Sequence, residues 1–145
     1  MITMPRIKLD LPTNFHFTTE IPVRITDINY GGHLGNDAVL SIIHEARVRF
    51  LMEKGYTEFN VEGVGIIMTD SAVVYKSEAF YGESLRIQVA VKDFSKYGCD
   101  LYYLLRERES GREVVHAKTG IAFFNYEERK LAAVPEKFQQ QFSII

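Results

Sequence analysis

Apolar residues change their spacing once along this chain, and the change divides it into two kinds of structure. Over residues 37–54 they recur at helical intervals. At about 100° per residue, Val39, Ile42, Ile43, Ala46 and Phe50 gather on one face, and Leu40 and Leu51 widen it. Arg47 stands at the edge of that face. His44 lies on the flank, and Ser41, Glu45, Val48 and Met52 lie opposite. Asn36 or Asp37 is placed to cap the helix start, and Gly55 follows the last turn as a stop.

Beyond the helix the period falls to two. Residues 64–76 read as one long strand with a bend at Asp70-Ser71. Residues 84–94 alternate, with Leu85, Ile87, Val89 and Val91 on one side and Arg86, Gln88 and Lys92 on the other. Residues 99–108 and 112–124 follow as two more strands, joined through Glu109-Ser110-Gly111 as a hairpin. A short segment at 130–134 precedes a polar piece at 136–142. Upstream, residues 1–17 form a leading arm, and a strand begins near Thr18, with Pro22 marking a start or an edge. One apolar helix followed by so much antiparallel strand must be wrapped by the sheet, which gives an α+β domain. Such a sheet leaves edges that a second copy of the chain is suited to cover.

Composition removes several function classes. The 145 residues suit one domain, and a net charge of −2 without basic runs argues against nucleic acid or an anionic membrane as main partner. The single cysteine, Cys99, excludes an intrachain disulfide framework. The N-terminal residues lack the apolar core of a signal peptide, and no apolar run approaches a membrane span. The expectation is a cytoplasmic protein.

Chemistry concentrates in the loop at 26–36, TDINYGGHLGN. It carries Asp27, Asn29 and His33 among three glycines and runs straight into the helix start, where free backbone N–H groups and the positive end of the helix dipole favour developing negative charge. A plain turn needs less.

The element order together with these residues resembles the hotdog fold, in particular the 4-hydroxybenzoyl-CoA thioesterase-like superfamily of acyl-CoA thioesterases. The similarity runs from about Pro22 to Pro135. It rests on Arg24-Ile25-Thr26-Asp27, Gly32-His33-Leu34, Ala46-Arg47 with Phe50-Leu51, Tyr75-Lys76, Gly82-Glu83-Ser84-Leu85 and Val134-Pro135. The resemblance implies one hotdog domain over residues 1–145, a long central helix wrapped by five or six antiparallel strands, and assembly as a homodimer or homotetramer. It implies hydrolysis of an acyl-CoA or acyl-carrier thioester, with coenzyme A entering as substrate and neither cofactor nor metal required.

One departure bears on mechanism. Many relatives carry D-x-D-x-x-G-H in the loop, with the second aspartate catalytic; here that position is Asn29, and an amide is neither a nucleophile nor a base. Asparagine-type relatives place an acid on the helix 15 residues later, meeting the loop across a dimer interface. That position is His44, with Glu45 next. The site implied by the resemblance therefore comprises Asn29 to orient carbonyl or water, His44 or Glu45 as base, and His33 to lock the loop or move a proton. Asp27 joins them as a further candidate, though turn aspartates commonly serve as structural hydrogen bonders. Backbone N–H groups around Gly32, Gly35 and Asn36 would meet the oxyanion. Lys76, Arg86 and Lys96 are candidates for the coenzyme A phosphates.

Plain structural roles compete with each of these. Glu45 can pair with Arg49 at i,i+4, His44 can satisfy a backbone carbonyl, and Asn29 can close an Asx turn. His16, His116, Cys99, Tyr102 and Tyr103 read as structural. Two other functions share the fold: an enoyl-CoA hydratase or dehydratase, suggested by Asp27-Ile28-Asn29 with a histidine one position out of place, and a non-catalytic acyl-CoA-binding protein.

Overall fold

A computed structural model describes residues 6–142. The first five residues of the expected leading arm and the last three of the chain lie outside them. The domain is a six-stranded antiparallel sheet around one long helix: β1 (Phe17–Pro22), α1 (Asn36–Glu53), β2 (Gly65–Tyr75), β3 (Ser84–Lys92), β4 (Gly98–Glu107), β5 (Glu113–Asn125), β6 (Lys130–Leu131) and α2 (Glu136–Phe142). The sheet order is β1-β3-β4-β5-β2, with β6 pairing the end of β5. This is the hotdog arrangement.

The core is the helix stripe against one face of the sheet. Val39, Ile42, Ile43, Ala46, Phe50 and Leu51 of α1 meet Leu85, Ile87, Val89 and Val91 of β3, Leu101, Tyr103 and Leu105 of β4, and Val115, Ala117, Ile121 and Phe123 of β5. Each large side chain so enclosed contributes about 1.5–3 kcal/mol. Leu40 departs from the expected stripe and is 47% exposed. Arg47, expected only at the margin, is buried. Both lie on the flank that looks toward β2.

The helix ends follow local chemistry. Gly35, not Asn36 or Asp37, is the N-cap, with extended backbone and no side-chain cap. Gly55 takes φ 82° directly after the last turn, a left-handed conformation that glycine adopts without a Cβ penalty.

The bend expected near Asp70 is a register shift between Met68 and Asp70 against β5. It brings Asp70 Oδ1 over Gly120, whose N–H donates to it at 3.1 Å. The polar piece at 136–142 is a helix that the sequence reading missed. Its Phe138 and Phe142 are buried, with ring centroids 4.8 Å apart, and they pack on Phe123 and Phe50 at 5.3 and 5.5 Å. Phe123 is thereby spent in the core. On the far face of the sheet, arm residues 6–10 border Val74 and His116.

Candidate functional site

The loop at 26–36 is held by its own hydrogen bonds. Asp27 ends a 3-10 turn, Ile25–Asp27, and is buried. Its carboxylate accepts from the Arg24 backbone N–H at 2.8 Å and from the Arg24 guanidinium at 3.2 and 3.1 Å. Burial opposes ionisation, but the Arg24 bonds outweigh it and hold the carboxyl below its ordinary range. Its backbone carbonyl accepts from Gly35 N–H at 2.9 Å. Asp27 is held as a lock on the loop, with both oxygens engaged by Arg24, which matches the structural role open to a turn aspartate.

Asn29 closes an Asx turn, its Oδ1 accepting from Gly31 N–H at 2.9 Å. The side-chain carbonyl is committed, and the amide NH₂ remains as a donor beside the cleft that Asn29 lines. His33 Nδ1 donates to the Leu34 carbonyl at 3.3 Å, and its Nε2 lies 3.8 Å from Glu78 Oε1.

The backbone donors at the helix start are fewer than the sequence suggested. Gly32 N–H donates to Asn29 O, Leu34 N–H to Ala79 O and Gly35 N–H to Asp27 O. Gly32 and Gly35 therefore have no N–H to offer an oxyanion. Gly32 instead supplies φ 85°, which the turn requires. Among the described residues the N–H groups of His33 and Asn36 meet no acceptor.

Two clefts lie along β2, the sheet edge remote from β1. The first, of about 450 Å³, is lined by Asn29, His33, Asn36, Tyr75, Lys76 and Glu78. The second, of about 280 Å³, lies between α1 and the sheet and is lined by Ser41, His44, Arg47, Met68, Ser71 and Thr119. Lys76 thus stands beside Asn29. Arg86 does not: it lies 4.0 Å from Glu20 on the β1 side of the sheet. Lys96 sits over the Tyr97 ring at 5.2 Å, in the β3–β4 connection. Within one chain neither cation reaches the loop.

The two helix candidates separate. Glu45 accepts from Arg49 Nε at 2.8 Å, and Arg49 also reaches Thr19 Oγ1 and the Glu20 carbonyl, so this pair faces β1. His44 lines the second cleft. Its Nε2 lies 2.8 Å from Glu58 Oε1, and Glu58 Oε2 accepts from Arg47 Nε at 3.0 Å. The flank histidine is therefore satisfied by a carboxylate and not by a backbone carbonyl.

Behind it, Arg47 donates to the Tyr103 hydroxyl at 3.4 Å, and that hydroxyl is 2.8 Å from Thr119 Oγ1. Burial disfavours charge on Glu58, yet its bonds to His44 and Arg47 prevail and lower its carboxyl below the usual range. Glu58, Tyr103 and Thr119 escaped the sequence reading. The available signal was an arginine at the margin of an apolar helix face, which demands a buried acceptor.

The other histidines and the cysteine, which read as structural, make structural contacts. His16 Nδ1 accepts from Val91 N–H at 3.1 Å, and His116 bonds Glu113 at 3.2 Å. Cys99 is buried, and burial raises its thiol far above thiolate-forming range. Among the described residues no group of three or more His, Cys, Asp or Glu could hold a metal ion. None of their helices is long and apolar enough to cross a membrane.

A family model described as the thioesterase-like superfamily matches residues 23–142. Among solved structures, the chain is similar to a 1,4-dihydroxy-2-naphthoyl-CoA thioesterase from Synechocystis. Identity there is 21%, coverage is 89% of this chain and 96% of that one, and the TM-score is 0.79. A thioesterase superfamily protein from Jannaschia sp. CCS1 aligns at 17% identity, over 92% and 84% of the two chains, with TM-score 0.81. A hypothetical protein from Thermus thermophilus shows 22% identity over 88% and 97%, with TM-score 0.73. No curated protein matches the sequence.

Proposed function

The chain belongs to the thioesterase-like superfamily, and from that premise we propose that it hydrolyses an acyl thioester of coenzyme A or of an acyl carrier. The observation that carries this reading is the pair of clefts on the β2 edge, one holding Asn29 and the other holding His44.

Pairing β2 with β2 of a second copy, antiparallel about a two-fold axis near residues 69–72, covers the open edge. It sets Tyr75 and Lys76 of one copy against the Met68 end of the other. Each Asn29 cleft then faces a His44 cleft from the partner copy, and the homodimer carries two composite sites.

In each site the thioester carbonyl lies against the Asn29 amide NH₂ and the N–H groups of His33 and Asn36. His44 Nδ1 takes a proton from water as the water oxygen bonds to the carbonyl carbon. The negative charge that develops on the carbonyl oxygen is met by those donors. The carbon–sulfur bond then breaks, and the thiolate recovers the proton from His44. The products are free acid and free thiol. Lys76, at the cleft mouth, is suited to a substrate phosphate.

His44 is favoured over Glu45 as base because Glu45 is held by Arg49 on the opposite flank of α1. The test is thiol release from acyl-CoA substrates of graded chain length. Thiol and free acid in equal amounts are the expected result. An enoyl-CoA absorbance change without thiol would assign a hydratase, and saturable binding without turnover would assign a binding protein.

A further inference from the structure

Two side chains of α1, Arg47 and His44, converge on one carboxylate. Glu58 lies in the connection between α1 and β2, where the N–H groups of Phe59 and Asn60 donate to Thr57 Oγ1 at 3.3 and 3.1 Å. Its backbone carbonyl accepts from Ile66 N–H at 2.8 Å, which fastens the turn to β2. Its two carboxylate oxygens divide their work, Oε2 toward the buried guanidinium and Oε1 toward the exposed imidazole.

A buried arginine is a poor means of stabilising a core. Withdrawing it from water costs several kcal/mol, and an apolar side chain of similar volume commonly serves as well or better. Arg47 is only 6% exposed and lies on a flank where Leu40, two helical turns away, is apolar. What Arg47 supplies that leucine cannot is an immobile carboxylate at the rim of the cleft. The nitrogen of a histidine that carries the proton is set by the bond its other ring nitrogen makes. An ionised Glu58 accepts only, so the His44 nitrogen facing it must carry hydrogen and the other is left with its lone pair.

We propose that Glu58 is a positioning residue that fixes His44 in the Nε2–H tautomer with Nδ1 free to accept a proton, and that Arg47, braced by Tyr103, holds Glu58 in place. The proposal rests on the reading of His44 as base. It adds an arginine–carboxylate–imidazole relay that runs from the core to the cleft: Tyr103 to Arg47, Arg47 to Glu58, Glu58 to His44. The relay shuttles no proton; it fixes orientation.

Nitrogen-15 NMR of histidine-labelled full-length protein in alkaline solution, with His44 assigned by its loss in His44→Gln, tests the arrangement directly. The expected result is a neutral His44 protonated predominantly at Nε2. Glu58→Gln should mix the two tautomers and lower kcat about 10- to 100-fold, with KM changed less than about twofold. Glu58→Asp, which keeps the charge, should recover part of kcat. A wild-type His44 protonated mainly at Nδ1 overturns the proposal even if the variants fail to fold. So does a folded Glu58→Gln protein with kcat within about twofold of wild type. Wild-type protein that shows the Nε2–H tautomer but releases no thiol overturns the hydrolase reading while supporting the Glu58–His44 arrangement.

Discussion

Arg47 Nε and Glu58 Oε2 stand 3.0 Å apart, and the arginine is almost wholly enclosed while the carboxylate reaches the surface. Removing the cation alone leaves Glu58 Oε2 and the Tyr103 hydroxyl each short of one partner beside a cavity. Arg47→Met should therefore destabilise the fold by about 2–3 kcal/mol, below the range for a fully buried pair because Glu58 retains water contact. The urea midpoint checks this, and a change under about 0.5 kcal/mol would show that the pair carries no stability.

In the proposed mechanism Asn29 offers the thioester a donor, since its oxygen is taken by Gly31. Asn29→Ala should lower kcat about 100-fold, the scale for one oxyanion donor, without altering the far-UV circular dichroism. An unfolded product would instead mark the Asx turn as the residue's main contribution.

Asp27 differs from Asn29 in keeping no free side-chain polar group, since Arg24 engages both its oxygens. Asp27→Asn should keep most of kcat while losing about 1–2 kcal/mol of stability, since an amide replaces a charge-assisted acceptor for Arg24. A stable Asp27→Asn protein without turnover would return Asp27 to the reacting groups.

The composite site proposed above needs two copies of the chain, which makes complementation informative. His44→Ala and Asn29→Ala homodimers should each be nearly inactive. Mixed and allowed to exchange subunits, they should recover about a quarter of wild-type activity, because half the dimers carry one intact site of two. No recovery despite demonstrated exchange would place both residues in a site built within one chain.

Acid should weaken the fold through particular carboxylates. Glu107 accepts from the N–H groups of Glu109 and Ser110 at 3.0 and 2.8 Å, and these bonds hold its carboxyl down to about 2. Glu58 and Asp27 are also lowered. A group depressed in the folded state contributes fully above its unfolded pKa and loses that contribution as pH falls through the folded value. For Glu107 the loss lies between about 4.5 and 2. Urea midpoints should fall over that interval, and fall less steeply in Glu107→Gln.

What could be read from the sequence was what repeats. The α1 stripe and the alternation of Leu85, Ile87, Val89 and Val91 lie exposed in the pattern because burial on one face imposes a period. Helix α2 did not show, since seven residues with Gln139-Gln140-Gln141 between two phenylalanines give a period little room to register. Of the candidate site, the loop and helix residues were visible as motif positions. Glu58 was not: it lies 14 residues beyond His44 in an aperiodic connection, and only the chain's return to β2 brings it to the helix. Tyr103 reads as structural, and it lies in the core; strand alternation alone does not show that its hydroxyl meets Arg47 and Thr119.

Those hydrogen bonds carry a consequence for anyone redesigning the protein. Replacing Arg47, Glu58 and Tyr103 together by Met, Leu and Phe would leave no charge stranded, and such swaps often raise melting temperature. The same swaps would let the His44 ring turn freely. If the proposed relay holds, robustness and turnover draw on the same three side chains, and selection for thermal tolerance alone should drift toward a sturdier, slower protein.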